Sequence, residues 1–262
     1  MDPNGLLTSV SGSGIVTLTL DRPAARNALD AALMTALRNA IREHSTQPAT
    51  RVIVLRGTGT VFCAGADLRD MARLGQGDVA ANEANAWQLA ELLLAVRHCP
   101  KPTLAVVQGP ALGGGVGLVA ACDVALGGES AHFTLPEVRL GIVPAIISPY
   151  LAEAIGPRQA RRYALTAERM DAATACQLGL LHHVVEDTAL ESEATRVGEA
   201  LVAGGPQAMT TAKRLFDEVD GEALTEAQGR RLARRLAELR ASEEAQEGLA
   251  AAAAKRKPEW CS

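Results

Sequence analysis

One stretch constrains this chain more than any other: Gln108-Gly-Pro-Ala-Leu-Gly-Gly-Gly-Val-Gly117. It follows the apolar run Thr103–Val107 and opens into Leu118-Val-Ala-Ala-Cys122. A β-branched apolar run, a glycine-packed bend and an Ala/Leu-rich segment read in that order as strand, tight turn and helix. Glycines at such a junction let the backbone approach a ligand closely. The first turn of the helix presents amide hydrogens that have no partner within the helix. Main chain alone thus makes a site for negative charge.

A second junction has the same form. Residues 52–55 read as a buried strand, and after a glycine-rich segment Phe62-Cys-Ala-Gly-Ala-Asp-Leu68 leads into a helical stretch through Leu74. Two such junctions in one sheet can each aim a backbone N–H at a common point. Two converging amides make an oxyanion hole, which stabilises charge developing on an ester or thioester oxygen. Either loop taken alone is also read as a plain tight turn.

The rest of the chain supplies an α/β frame. Ile15–Leu20 alternates apolar and polar residues as a strand does, and residues 21–27 form a turn. Residues 29–44 place Leu29, Leu33, Leu37 and Ile41 at helical spacing, with Asp30 early in the helix where negative charge suits the dipole. Residues 84–99 read as a long amphipathic helix ending before Pro100. Short strands are expected at 123–126 and 131–135. Pro136-Glu137 then opens a short helix, proline being tolerated and glutamate favoured there. Beyond Pro206 the strands stop, and segments 206–219, 222–241 and 243–255 are charged, Ala-rich and helical. The expected division is an α/β core over 1–205 and a helical region over 206–262, whose narrow apolar stripes need a partner surface.

A chain of 262 residues can bury a large core, and a net charge of −4 argues against broad binding to nucleic acid. The arginine clusters at 158–162 and 230–235 read as solvated helix faces. Five cysteines, odd in number and without a C-x-x-C pair, argue against a disulfide framework or structural zinc and for a reducing compartment. The start Met1-Asp-Pro-Asn-Gly shows no export signal, and no apolar run reaches membrane-spanning length, so a cytoplasmic location away from membranes is expected. His44, His98, His132, His182 and His183 show no metal-ligand spacing. Ser130 and Ser148 lie outside any Gly-x-Ser-x-Gly elbow. Gly113-Gly-Gly-Val-Gly-Leu118 fails the spaced glycine pattern of dinucleotide binders, and no Gly-Lys-Ser/Thr is present.

Several segments now combine. Asn27-Ala-Leu, Phe62-Cys-Ala-Gly-Ala-Asp-Leu68, Lys101-Pro, Gly109-x-Ala-Leu-Gly-Gly-Gly115, Ala121-Cys-Asp123 and Pro136-Glu-Val-x-Leu-Gly141 occur in one order and spacing. Together, and over nearly the whole chain, they resemble the crotonase (enoyl-CoA hydratase/isomerase) superfamily. The resemblance implies a spiral of repeated ββα units with a C-terminal helical subdomain that packs between subunits of trimers or dimers of trimers. It implies that the amides of Ala66 and Gly114 hold the thioester oxygen. By the same resemblance Ala28, Ala64, Gly65, Ala66, Asp67, Leu68, Gly113, Gly114 and Gly117 line the acyl-CoA path. Arg26 falls where the family approaches the CoA phosphates, and a solvated surface arginine reads the same way. Asp67 equally reads as an orderer of its own loop.

Hydratases of this family use two glutamates, one two residues after the triple glycine and one after the proline of Pro-Glu. Glu137 matches the second, and its apolar neighbours Phe133, Leu135, Val138 and Leu140 suit a carboxylate tuned by burial. Standing alone, Glu137 reads as a helix-terminal charge. The first position holds Gly117. The segment from Glu137 to Tyr150 is similar to the branch of methylglutaconyl-CoA hydratases, whose members often carry Gly-Val-Gly-Leu after the triple glycine. The leading expectation is therefore hydration of a 2-enoyl-CoA with Glu137 as acid/base. Alternatives are double-bond isomerisation, another one-acid reaction, or a silent acyl-CoA-binding subunit. Coenzyme A would enter with the substrate, and neither metal nor redox cofactor is called for.

Overall fold

A computed structural model describes residues 4–75, 77–223 and 225–261. The elements in order are β1 (Leu6–Val10), β2 (Ile15–Leu20), α1 (Ala31–Thr46), β3 (Val52–Gly57), α2 (Leu68–Gly75), α3 (Val79–Arg97), β4 (Thr103–Val107) and β5 (Ala111–Leu112). There follow α4 (Gly114–Ala121), β6 (Val124–Gly128), β7 (His132–Thr134), α5 (Ser148–Thr166), β8 (Met170–Asp171), α6 (Ala172–Leu178), β9 (His183–Val185) and α7 (Leu190–Val202). The chain closes with α8 (Pro206–Val219), α9 (Glu226–Arg240) and α10 (Glu243–Ala253).

The main sheet has the order β1-β2-β3-β4-β6-β9. β1 is antiparallel to β2, and every later pair is parallel. Successive side chains of a strand point to opposite faces, so a parallel sheet covered on both sides must be apolar at every position. β4 meets that demand, with all five residues buried. Ile53, Leu55, Ala105 and Val107 face the larger core beneath α1, α3 and α4. Val52, Val54, Leu104 and Val106 face a smaller cluster closed by Leu190 and Ala194 of α7. A second, three-stranded sheet, β5-β7-β8, sits beside the first.

Several boundaries differ from the sequence expectation, each for a capping reason. α1 begins at Ala31, two residues later than expected, because Asp30 is its N-cap and accepts the Leu33 amide at 2.8 Å. Leu29 is thereby released to bridge to Ala66. α3 begins at Val79, not residue 84, since Asp78 accepts from Ala81 N at 2.8 Å. α9 begins at Glu226, not residue 222, with Thr225 capping Gln228. The glycine loop contains the short strand β5, which the pattern did not announce. Met1–Pro3 of the expected signal-free start, and Leu224 and Ser262 of the helical tail, lie outside the described residues.

The tail is tied to the core by polar contacts. The Arg51 guanidinium donates to the carbonyls of Val202 (2.8 Å), Gly204 (2.6 Å) and Trp260 (2.7 Å). Lys213 pairs with Asp123 at 2.8 Å, and Asp123 also accepts from the amide and hydroxyl of Thr103 at the start of β4. Among the described residues no helix is long and apolar enough to cross a membrane.

Candidate active site

The two glycine-rich turns meet, although not through the main sheet as the sequence suggested. Phe62 N and Cys63 N donate to Pro110 O at 3.0 and 3.2 Å, and Leu112 N donates back to Cys63 O at 2.9 Å. An isolated parallel bridge, Cys63 to Ala111, joins the first turn to the three-stranded sheet. Gly113 N then donates to Thr134 O at 3.0 Å, drawing β7 and the following Pro136-Glu137 to the same place. Backbone hydrogen bonds alone thus bring three distant segments together.

Only glycine fits the backbone at the two apices. Gly65 has φ of +84° and Gly113 has φ of +46° with ψ of −115°. A Cβ at Gly65 would lie 2.6 Å from Leu112 O and 3.5 Å from Gly114 N. The turn that carries Ala66 therefore sits directly against the start of α4. Among the described residues the amides of Ala66 and Gly114 donate to no protein acceptor. The Ala66 amide is left over because Leu29 N takes Gly65 O (2.7 Å) and Leu29 O takes Asp67 N (3.0 Å). That of Gly114 is left over because it opens a helix.

The carboxylate expected from the sequence comes to this point. A Cβ at Gly113 would lie 2.8 Å from Glu137 Oε1. Glu137 opens a 3-10 turn, Glu137–Leu140. Its Oε2 is buried and has no hydrogen-bond partner among the described residues. Burial pushes the Glu137 pKa up, and its own backbone amide only partly opposes this.

Gly117, one turn further along α4, is buried beneath the start of α5. A Cβ there would collide with Ile147 Cγ2 and stand 3.1 Å from Ile147 Cβ and 3.2 Å from Leu93 Cδ1. Where the two-glutamate pattern has a carboxylate, this chain has hydrocarbon from other elements.

The remaining expected residues flank the first turn. Arg26 has φ of +53° and an exposed side chain, while its carbonyl accepts Ala64 N at 3.0 Å. Ala28 and Gly65 are buried, Ala64 and Ala66 half-buried, and Leu68 exposed at the head of α2. Asp67 orders its own loop: its Oδ1 accepts Arg69 N at 3.0 Å, and Arg22 lies 3.3 Å from its Oδ2. Burial would raise its pKa, but the Arg69 amide and the Arg22 guanidinium outweigh that and hold it below the usual carboxylate range. Cys63 beside the turn is fully buried, and burial pushes its thiol up to about 12, which makes it packing and not a nucleophile. The His132 ring nitrogen Nδ1 lies 3.4 Å from the Ser130 carbonyl, and its backbone pairs with Asp171 of β8.

Two structural supports escaped the sequence reading. Asn27 is wholly buried with φ of +56°. Its Nδ2 donates to Thr58 O (2.9 Å) and Val61 O (2.8 Å), and its Oδ1 accepts Arg22 N (2.9 Å). Arg22 reaches the Ala28 carbonyl and bridges Asp30 (2.8 Å) and Asp67 (3.3 Å). Asn27 stands in one of the segments that carry the family resemblance, but local sequence does not show the bracing role of either residue, since their partners lie up to 45 residues away.

Comparison with known proteins places this chain in a class. The family model for enoyl-CoA hydratase/isomerase matches residues 11–262, and the chain belongs to that family, a crotonase-fold family of enzymes acting on acyl-CoA thioesters. Among its relatives, mevalonyl-coenzyme A hydratase sidH of Aspergillus fumigatus is 35% identical, over 98% of this chain and 94% of its own length. The 2,3-dehydroadipyl-CoA hydratase of Escherichia coli is 36% identical over 94% of both. A crystal structure of an enoyl-CoA hydratase from Shewanella pealeana superposes with a TM-score of 0.93 at 37% identity, covering 98% of this chain and 96% of that one.

Proposed function

We propose that this protein hydrates a 2-enoyl-CoA thioester to the 3-hydroxyacyl-CoA. The amides of Ala66 and Gly114 would hold the thioester oxygen and the enolate charge that forms on it. Such preorganised donors act where charge develops, in a site that excludes water. Ionised Glu137 takes a proton from water as the oxygen bonds to the β-carbon, and the C=C electron pair moves into the enolate. The protonated Glu137 then returns that proton to the α-carbon as the carbonyl reforms. One carboxylate serves both transfers, and the net change is addition of one water.

The observation that carries this reading is the buried Glu137 carboxylate, its Oε2 unpartnered among the described residues and its Oε1 against Gly113, next to the Gly114 amide, which with the Ala66 amide has no acceptor among those residues. A second reading, double-bond isomerisation by the same acid, is favoured by Gly117 and its hydrocarbon cover, because isomerisation needs no second group to hold water. The two separate on substrate: a hydratase consumes a 2-enoyl-CoA with loss of enoyl-thioester absorbance, whereas an isomerase converts a 3-enoyl-CoA and yields no hydroxyacyl product. Glu137→Gln should lower kcat for whichever reaction occurs by about 10² to 10⁴, the usual worth of a positioned acid/base. Full activity in that variant refutes the assignment. An inactive wild type that still binds acyl-CoA supports a silent binding subunit instead.

The exposed Arg26 side chain supports a role on the CoA phosphates. Coenzyme A would arrive with the substrate, and the chemistry written above calls on no further cofactor. The region 206–262, through its helices α8, α9 and α10, is assigned to assembly as a trimer or dimer of trimers, with the α/β core over 1–205 carrying the site.

A further inference from the structure

The hydrocarbon beside Gly117 has a role of its own. Ile147 is 2% exposed and stands at the residue before α5. A single loop runs from Glu137 to it, held at its near end by Ile142 N donating to Glu137 O at 3.1 Å. Acid and isoleucine are thus the two ends of one segment. The glycines they meet are also one turn apart, for Glu137 Oε1 lies against Gly113, the N-cap of α4, and Ile147 Cγ2 against Gly117 within it. Gly117 lies three residues beyond Gly114, a rise of about 4.5 Å. A thioester oxygen held at Gly114 therefore leaves the acyl β-carbon within reach of that face. Leu93 of α3 backs the same space, 3.2 Å from where a Gly117 Cβ would stand.

We propose that Ile147 is a specificity-determining residue: its branched side chain, backed by Leu93, fills the space beside Gly117 and limits the bulk that the acyl β-carbon can carry on that side. This rests on the reading of the Ala66 and Gly114 amides as the thioester site, though not on Glu137 being the catalyst. Cores are close-packed, so removing a buried branch opens room that the surroundings refill only in part. Removing Ile147 Cγ2 should therefore admit bulk in preference to raising affinity generally.

The test is binding, which needs no turnover. Dissociation constants are measured by calorimetry for butanoyl-CoA, 3-methylbutanoyl-CoA and coenzyme A alone, on wild type and Ile147→Ala. The expected result is a fall of at least threefold in the branched-to-linear ratio, with coenzyme A alone unchanged. A smaller change in the ratio overturns the proposal. Should Ile147→Ala not fold, Ile147→Leu removes Cγ2 at nearly constant volume and carries the same threshold. A second arm tests the steric contact: Gly117→Ala should lower Tm more in the wild type than in the Ile147→Leu background, and equal losses overturn it. Failure of Glu137→Gln to lose activity would leave these ratios standing, whereas failure of the wild type to bind either acyl-CoA would overturn the thioester site and this proposal together.

Discussion

Replacing Asn27 tests whether the site is held from beneath. Asn27→Ala removes three hydrogen bonds and leaves the Arg22 amide and the Thr58 carbonyl in a part-buried setting without that partner, while the Val61 carbonyl keeps Gln108 Nε2 at 3.1 Å. Each such loss is worth about 1 kcal/mol net, and more where the stranded group stays dry. Asn27 also sits at φ of +56°, where alanine suffers a clash of about 1 kcal/mol or more that asparagine tolerates better. The sum is about 4 kcal/mol. For a chain of this size 1 kcal/mol moves Tm by about 2–4 °C, so the variant should melt about 8–16 °C lower.

Asn27→Gly separates the two contributions, since glycine loses the same hydrogen bonds but carries no left-handed strain; it should recover about 1 kcal/mol of the loss. The assay is calorimetry at fixed protein concentration, paired with kcat/KM on an enoyl-CoA. Because Arg26 O anchors Ala64 and Leu29 brackets Ala66, loosening Asn27 should also cost at least about tenfold in kcat/KM, positioning errors of 1 Å being worth about 10². A Tm within 3 °C of wild type would refute the hydrogen-bond reasoning. An Asn27→Gly variant no more stable than Asn27→Ala would refute the backbone part.

Other variants probe the acid, the CoA path and the tail. Glu137 has its pKa raised by burial, so its folded pKa exceeds its unfolded one; the stability it contributes is complete below the ordinary value of 4.5 and is lost as pH rises through the folded pKa. Glu137→Gln should therefore lose less Tm than wild type between pH 4.5 and 8, and an identical pH profile of Tm would count against the burial account. In the wild type, kcat/KM should rise with pH through an apparent pKa above that of ordinary glutamate, and the limb should be absent from the residual activity of Glu137→Gln. Arg26→Ala should raise KM for acyl-CoA several-fold with kcat nearly unchanged; an equal fall in kcat instead would place it at the chemistry. Arg51→Ala strands three carbonyls of the tail junction, and limited proteolysis around residues 202–205 should accelerate; unchanged cleavage would mean that Arg51 does not hold the tail.

Much of the frame was legible because it is written in local periodicity. β2 and β4 follow the alternating and the continuous apolar patterns of half-buried and fully buried strands. β1 was not legible, since only Leu6 of its five residues is buried and an edge strand bears little apolar signal. Helix starts were misplaced wherever the cap, rather than the apolar stripe, decided the boundary, as at Asp30, Asp78 and Thr225.

The sequence by itself determined the family, the two glycine turns and the candidate acid, because each is a short motif whose chemistry lies in adjacent residues. It also showed that Gly117 bears no side chain. Tertiary structure alone decided what the absence of that side chain means. Ile147 and Leu93 come from segments 30 and 24 residues away and close over Gly117, a matter of packing that no local spacing can encode. Tertiary structure likewise decided that the two turns converge, since their meeting depends on hydrogen bonds between Cys63, Pro110 and Leu112 and on Asn27 reaching beneath them.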